Sequence, residues 1–246
     1  MRNIRMVLEY DGTAYAGWQR QKNGLSIQQV LEEKLAVMTG EVVKVAGSGR
    51  TDAGVHALAQ VAHFRTTSMI PARNFLLGIN SLLPRDIVVI RLDEAPEAFH
   101  ARHSATGKVY LYRILNRPVR STLYRHFAWE IFQPLDDARM REAAAHLVGT
   151  HDFTSFSTVH SDAPHRVRTI REISVTRSEE DFVGITVEAE GFLRYMVRII
   201  AGTLVEVGKG RRKPGDIPAV LAAKDRAAAG ITAPARGLFL KEVRYA

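Results

Sequence analysis

The order of the predicted secondary-structure elements limits the possible folds of this chain more than any other feature. The first half predicts a strand over Ile4–Tyr10, a helix from Ile27 that Gly40 ends, strands over Val42–Ala46 and Leu58–Arg65, a helix over Pro71–Leu82 and a strand over Ile87–Leu92. The second half repeats this order with longer connections. Two successive β-α-β-β-α-β units predict an α+β protein with mainly antiparallel sheets.

The second half predicts strands over Val109–Leu115, Val167–Thr176, Phe182–Ala189 and Gly237–Val243, and helices over residues 136–149, 192–207 and 217–222. Within the helix that Asp136 caps, one apolar stripe runs along a single face and consists of Met140, Ala143, Ala144, Leu147 and Val148. We place the division between the halves after residue 104. Residues 1–104 then form an N-terminal α+β subdomain, and residues 105–246 form a C-terminal one.

Composition excludes several classes of protein. Apolar residues make up 46% of the 246 and charged residues 24%, which is typical of a packed globular chain. No stretch approaches 18 consecutive apolar residues, and the N-terminal segment carries charges where a signal peptide needs an apolar core. We therefore expect a soluble, cytoplasmic protein with no membrane association. The absence of cysteine excludes disulfides, iron–sulfur clusters and thiol nucleophiles, so the chemistry must come from oxygen or nitrogen groups.

The net charge of +8 suggests a polyanionic partner. Residues 1–104 carry a net charge of +2 and residues 105–246 carry +6. Residues 102–126 contain six lysines or arginines and no acid, and Tyr110, Tyr112 and Tyr124 are interleaved with them. This pattern suits phosphates and bases, although a solvated basic strand explains it equally well. A second basic cluster, which we call the basic loop, comprises Lys209, Arg211, Arg212 and Lys213 and is a candidate phosphate-binding site.

A glycine-rich segment, GSGRTDAGVH at residues 47–56, lies between two predicted strands. It fits neither the phosphate-loop pattern nor the dinucleotide-binding pattern. The glycines allow a tight backbone to approach a ligand, with Arg50 and Asp52 projecting from it. Two interpretations remain open from the residues alone: a catalytic carboxylate, or an ordinary Asx turn in which Arg50 forms a surface ion pair with Asp52.

Other motifs carry weaker signals. His56, His63, His100 and His103 have no recognised metal-ligand spacing, so no metal is expected. The segments YDGTAYAGWQ at 10–19 and HDFTSF at 151–156 are interpreted as core residues packed beneath loops. Arg194 and Arg198 are one helical turn apart on the helix predicted over 192–207, and together they can reach a carboxylate or a phosphate.

Several segments together resemble one family, that of tRNA pseudouridine synthase A. The segments occur in the order and spacing of that family over nearly the whole chain; they are YDGTAYAGWQRQ, GSGRTDAGVHA, FHAR, KVYLY, HDFTSF, FLRYMVRIIAG and GLFLKEV. The resemblance implies the pseudouridine synthase fold, with two halves flanking an RNA-binding catalytic cleft. It also implies a homodimer without cofactor or metal that isomerises uridines 38, 39 and 40 in the anticodon stem-loop of tRNA.

The resemblance also implies roles for individual residues. Asp52 matches the essential aspartate, Arg50 its companion in the motif, Tyr110 the tyrosine over the target base, and Arg198 the arginine beside the aspartate. Two other functions fit part of the sequence. A non-catalytic RNA-binding protein with two RRM-like units explains the charge and the aromatics, but the RNP1 pattern is missing. A carboxylate-dependent nucleoside hydrolase would normally need a second catalytic acid.

Overall fold

The computed structural model describes residues 1–158, 165–179 and 181–246. Its strands and helices, in chain order, are β1 (Arg2–Tyr10), α1 (Ile27–Thr39), β2 (Ala46–Gly47), β3 (His56–Thr66), α2 (Ala72–Leu82), β4 (Ile87–Ala95), β5 (Ala105–Asn116), β6 (Trp129–Ile131), α3 (Asp137–Ala145), β7 (Gly149–Asp152), β8 (Val167–Arg177), β9 (Phe182–Ala189), α4 (Met196–Gly208), α5 (Ile217–Ala223) and β10 (Leu238–Tyr245). The predicted α+β class with mainly antiparallel sheets is confirmed. Within the described residues, no helix is both long and apolar enough to cross a lipid bilayer.

The chain divides into two compact units, residues 1–106 with 239–246 and residues 107–238. The boundary between the units therefore lies two residues beyond the predicted one. Residues 239–246, which the sequence groups with the second half, belong to the first unit. The reason is strand pairing, because Phe239 and Leu240 of β10 align in parallel with His56 and Ala57 of β3.

In the first unit, the strand order is β4-β1-β3-β10, and β1 pairs in antiparallel fashion with both β3 and β4. The helix α1 begins as the sequence predicts, since the Ser26 side chain accepts a hydrogen bond from the Gln29 N–H, and Gly40 ends the helix at φ +73°. Phe75 of α2 packs on Phe64 of β3 with ring centroids 5.6 Å apart. This packing places the helix against the sheet that carries the glycine-rich segment.

The strand predicted over Val42–Ala46 is wrong, because only Ala46 and Gly47 pair with β3. Side chains of α1 take the place of a neighbouring strand at Val45. The Gln28 side-chain amide donates to the Val45 carbonyl oxygen at 2.9 Å, and the Val45 N–H donates to Glu32 at 3.2 Å. The backbone groups of Val45 are thus satisfied without strand pairing.

In the second unit, β5, β9, β8 and β7 follow one another in antiparallel order, and β6 pairs in parallel with β5. The sequence did not predict β6 or β7. The residues of the stripe predicted on α3 are buried at Met140, Ala143, Ala144 and Leu147, but Val148 is 43% exposed. The helix itself ends earlier than predicted, at Ala145. The helix α4 is almost entirely buried and begins at Met196, four residues later than predicted.

Candidate active site

The segment between β2 and β3 carries Arg50 and Asp52. The Val55 N–H donates to the Asp52 carbonyl oxygen at 3.1 Å, and Gly54 has a φ of +74°, so the backbone turns tightly after Asp52. The Gly54 N–H donates to the carbonyl oxygen of Tyr15 at 3.3 Å, which ties this turn to the neighbouring loop. Asp52 is partly buried and Arg50 is exposed.

A buried hydrogen-bond network holds this segment from the core side. The Tyr10 hydroxyl and the Thr51 hydroxyl lie 2.8 Å apart. The Ser48 hydroxyl donates to the Gln60 side-chain oxygen at 2.7 Å, and the Gln60 amide donates to the Gly49 carbonyl oxygen at 3.0 Å. Burial raises the pKa of Tyr10 to about 12, so its hydroxyl stays protonated at neutral pH. Hydrogen bonds thus fix the backbone on the N-terminal side of Asp52.

Residues 11–24 form a second loop that packs on the Asp52 segment. The Trp18 N–H donates to the Thr51 carbonyl oxygen at 3.0 Å. At Gly17, which has a φ of +95°, a Cβ atom would lie 2.5 Å from the same carbonyl oxygen. The indole of Trp18 is 2% exposed and packs on Gly47, and the Tyr15 hydroxyl donates to Asp86 at 2.7 Å. The predicted role of Tyr15 and Trp18 as packed aromatic residues is confirmed.

Sequence analysis did not single out Tyr10, Ser48 or Gln60, although all three hold the Asp52 segment. A signal was present for Gln60, which shares one face of the predicted strand with Ala62 and Phe64. A polar side chain on an otherwise apolar face needs a buried partner. The partners of Gln60 are Ser48 and Gly49, at the start of the segment that carries Asp52.

The histidines are explained by packing and turns. His56 accepts a hydrogen bond from the Gly12 N–H at 3.0 Å and stacks on Phe239. The rings of His63, His100 and His103 form a row with neighbouring centroids 4.5 and 4.3 Å apart. Burial and the neighbouring histidine lower the pKa of both His63 and His100. Among the described residues, no group of three or more histidines or acids is arranged to hold a metal ion.

Tyr110 lies on β5, opposite Val187 of β9, and is 7% exposed. Its ring packs edge-to-face on Phe192, with centroids 5.0 Å apart and an interplanar angle of 84°. Phe192 precedes α4 in the segment that carries Arg194 and Arg198. Within the second unit, an aromatic contact thus joins Tyr110 to the segment that carries Arg194 and Arg198.

Arg194 and Arg198 do not share a helix face as predicted. Arg194 precedes α4, and Tyr195 before the first helical residue has φ +64° and ψ 2°, a left-handed conformation that no right-handed helix can include. The two guanidinium carbons nevertheless lie 5.0 Å and 4.9 Å from the Tyr195 ring centroid. The Arg198 Nε donates to the Ala233 carbonyl oxygen at 2.7 Å. The two arginines therefore meet on one aromatic ring rather than along a helix.

The basic tract over residues 102–126 has a largely structural role. Tyr112 is fully buried and donates to the Pro234 carbonyl oxygen at 2.8 Å. The Arg113 guanidinium packs over the rings of Phe182 and Tyr124. Arg117 donates to the carbonyl oxygens of residues 119 and 120 in its own loop. These contacts favour the interpretation of the tract as a basic structural surface.

The basic loop contains residues in two different environments. Arg211 and Lys213 are exposed, and Lys209 is half-buried, with its pKa lowered by partial burial and by the charge of Arg211. Arg212 donates to the Ala228 carbonyl oxygen at 3.0 Å and to Glu206 at 3.4 Å. The charge of Arg212 is thus offset by Glu206, while Arg211 and Lys213 extend toward solvent.

The candidate residues fall into the two units. Asp52 and Arg50 lie in the first unit, with the network that holds their segment. Tyr110, Arg194, Arg198 and the basic loop lie in the second. HDFTSF also lies in the second unit and is structural, because Phe153 and Phe156 are fully buried and the Ser155 hydroxyl donates to the Val220 carbonyl oxygen.

The chain is similar to proteins that act on tRNA. The family model described as tRNA pseudouridine synthase matches residues 6–104 and 143–246. Three proteins named tRNA pseudouridine synthase A match along the whole chain. The one from Geotalea uraniireducens (strain Rf4) is 50% identical and the one from Thermoanaerobacter sp. (strain X514) is 46% identical, each over 100% of both chains. The one from Myxococcus xanthus is 49% identical over 100% of this chain and 92% of that protein.

Proposed function

Because the chain belongs to the tRNA pseudouridine synthase family, it is an isomerase that converts uridine in tRNA to pseudouridine, and we propose that it acts on uridines 38, 39 and 40 of the anticodon stem-loop. The reaction breaks the N1–C1′ glycosidic bond, turns the uracil and joins C5 to C1′. All atoms of the substrate are kept, so the chemistry needs no external reactant. It needs a carboxylate, a pocket that retains the detached uracil and contacts that hold the RNA.

We propose Asp52 as the carboxylate. Attack on the ribose, attack on the base and abstraction of a ribose proton all require its ionised form. The observation that carries this assignment is the hydrogen bonding of its segment, with Thr51 held by Tyr10 on one side and by the Trp18 N–H on the other. A side chain on a backbone fixed in this way keeps its direction while the substrate rearranges. Arg50 lies two residues away on the same segment, and we assign it as the companion of Asp52 in the catalytic motif.

The second unit supplies the proposed contacts with the target base. A uridine within a stem must leave the base stack before its C1′ can be reached, which costs a few kcal/mol. We assign stacking on the flipped base to Tyr110, whose ring is held edge-on by Phe192. We assign Arg198 a catalytic role in the reaction, and Arg194 a contact with the RNA backbone near the target.

The remaining proposed contacts are with tRNA phosphates. Lys209, Arg211 and Lys213 are suited to this role by their exposure and charge, and Arg212 contributes from a position where Glu206 partly neutralises it. We further propose a homodimer in which one tRNA contacts both subunits, acting in the cytoplasm. A chain of 246 residues has a radius of gyration of about 18 Å, which is short compared with a tRNA. Light scattering tests the dimer, since a fully active monomer at micromolar concentration would contradict it.

Mapping of pseudouridine on unmodified tRNA tests the proposed substrate positions. We would incubate the enzyme with transcripts that carry uridine at position 38, 39 or 40 alone, and with a control transcript that carries cytidine at all three. Pseudouridine is expected at each of the three positions and absent from the control. Pseudouridine elsewhere in the tRNA would contradict the proposed positions. Release of free uracil would indicate the hydrolase, and binding without change would indicate the RNA-binding protein.

A further inference from the structure

Tyr195 has a backbone conformation that its residue type disfavours. Its φ of +64° and ψ of 2° place it in the left-handed region, directly before the first residue of α4. Glycine reaches this region without cost, and asparagine, aspartate and histidine tolerate it better than other residues. A tyrosine there is strained, and such strain is found most often at functional sites, where the rest of the fold holds the backbone in place.

The contacts of the Tyr195 ring are with the two arginines of the segment. The guanidinium carbons of Arg194 and Arg198 lie 5.0 Å and 4.9 Å from its centroid, within the range of a cation–π interaction. Side chains at adjacent positions of a helix do not face each other. The break in the helix at Tyr195 is therefore what allows the neighbouring Arg194 to reach the same ring as Arg198.

Two contacts help to hold the Arg198 side chain in place. Its Nε donates to the Ala233 carbonyl oxygen at 2.7 Å, and its guanidinium packs over the Tyr195 ring. A free arginine side chain has many rotamers, and fixing it in advance removes the entropy cost of ordering it during the reaction.

We propose that Tyr195 is a positioning residue for Arg198, and that the strained conformation is retained because it places the ring against that guanidinium. This inference rests on the proposed catalytic role of Arg198. Tyr195 itself touches no reacting atom. Its ring supplies the function, and its hydroxyl, 3.4 Å from an Arg194 nitrogen, adds little.

Two substitutions separate positioning from folding. Tyr195→Asn relieves the backbone strain and removes the ring, so the melting temperature should stay level or rise while kcat falls by about tenfold, the loss expected for one cation–π contact. KM for tRNA should change by less than about threefold, because Arg198 is assigned to the reaction rather than to ground-state binding. Tyr195→Phe keeps the ring and should retain kcat close to that of the wild type.

Arg198→Gln distinguishes failure of this inference from failure of the proposed function. If Arg198→Gln turns over tRNA like the wild type, the role of Arg198 is wrong and the positioning role is overturned with it. If Arg198→Gln is inactive while Tyr195→Asn is normal, only the positioning role is overturned. A Tyr195→Phe variant as slow as Tyr195→Asn, or a kcat loss accompanied by a lower melting temperature, would likewise overturn it. Addition of Tyr195→Asn to Arg198→Gln is expected to cause no further loss.

Discussion

Gly17 is a point of close approach between the loop over residues 11–24 and the segment that carries Asp52. A Cβ atom at Gly17 would lie 2.5 Å from the Thr51 carbonyl oxygen and 3.0 Å from the Asp52 carbonyl carbon, whereas ordinary contacts begin near 3.4 Å. Gly17→Ala must therefore push the two segments apart by about 0.9 Å at the closest atom. The φ of +95° at Gly17 adds backbone strain to this steric conflict.

Gly40→Ala is the matched control. Gly40 also has a positive φ, +73°, but a Cβ atom there would have nothing within 4 Å. Gly40→Ala should cost about 1–2 kcal/mol from the backbone alone and lower the melting temperature by about 2–8 °C. Gly17→Ala should add about 1–3 kcal/mol for the steric conflict, so its melting temperature should fall about twice as far.

Activity separates the two variants more sharply than stability. A displacement approaching 1 Å at a catalytic group can cost about a hundredfold in rate, so kcat/KM of Gly17→Ala should fall by about two orders of magnitude. Gly40→Ala lies at the end of α1 and should stay within about twofold of the wild type. Both are assayed as pseudouridine formation on tRNA, well below either melting temperature. A kcat/KM for Gly17→Ala within about threefold of that for Gly40→Ala would refute the reasoning.

Three further predictions concern pH and salt. The pKa of His100 is lowered in the folded protein, so below about pH 6.5 the unfolded chain takes up a proton at this residue before the folded chain does, and the free energy of unfolding falls on acidification. His100→Asn keeps an acceptor for the Arg102 N–H and should reduce the fall in the free energy of unfolding between pH 7 and pH 5, measured by urea denaturation. The pKa of Tyr10 is raised to about 12, so stability should fall from about pH 10 upward, and Tyr10→Phe should lessen the fall by up to about 1.4 kcal/mol per pH unit. Replacement of Lys209, Arg211 and Lys213 by alanine should flatten the log–log dependence of tRNA affinity on salt by about 0.7–0.9 per lost phosphate contact, and an unchanged slope would contradict their assignment.

Local signals in the sequence predicted much of the fold. The helix α1 begins at the serine and ends at the glycine that the sequence marks for these roles, because capping depends on residues within one turn of the helix end. The strand expected at Val45 failed because its backbone groups are satisfied by Gln28 and Glu32, side chains more than ten residues away. Local sequence patterns also could not predict the pairing of β10 with β3, because it joins residues far apart in the chain.

The candidate site likewise contains features that the sequence could predict and features that it could not. The glycine-rich segment could be found from its sequence, since glycines beside an arginine and an aspartate mark a tight backbone with projecting charge. Of the network beneath it, only Gln60 carried a signal, as a polar residue on an otherwise apolar strand face, whereas Tyr10 and Ser48 carried none. The break at Tyr195 was also missed, since its apolar neighbours continue the helical periodicity through a residue whose φ is positive.

The central claim is that the Asp52 carboxylate carries the reaction, and Asp52→Asn tests it most directly. The substitution keeps the size of the side chain and removes its charge, so the segment held by Tyr10 and Trp18 should keep its structure and its affinity for tRNA. The measurement is single-turnover formation of pseudouridine at positions 38–40 with enzyme in excess over tRNA. The account predicts tRNA binding close to that of the wild type with no detectable pseudouridine. Pseudouridine formed by Asp52→Asn at a rate within tenfold of the wild type would contradict it.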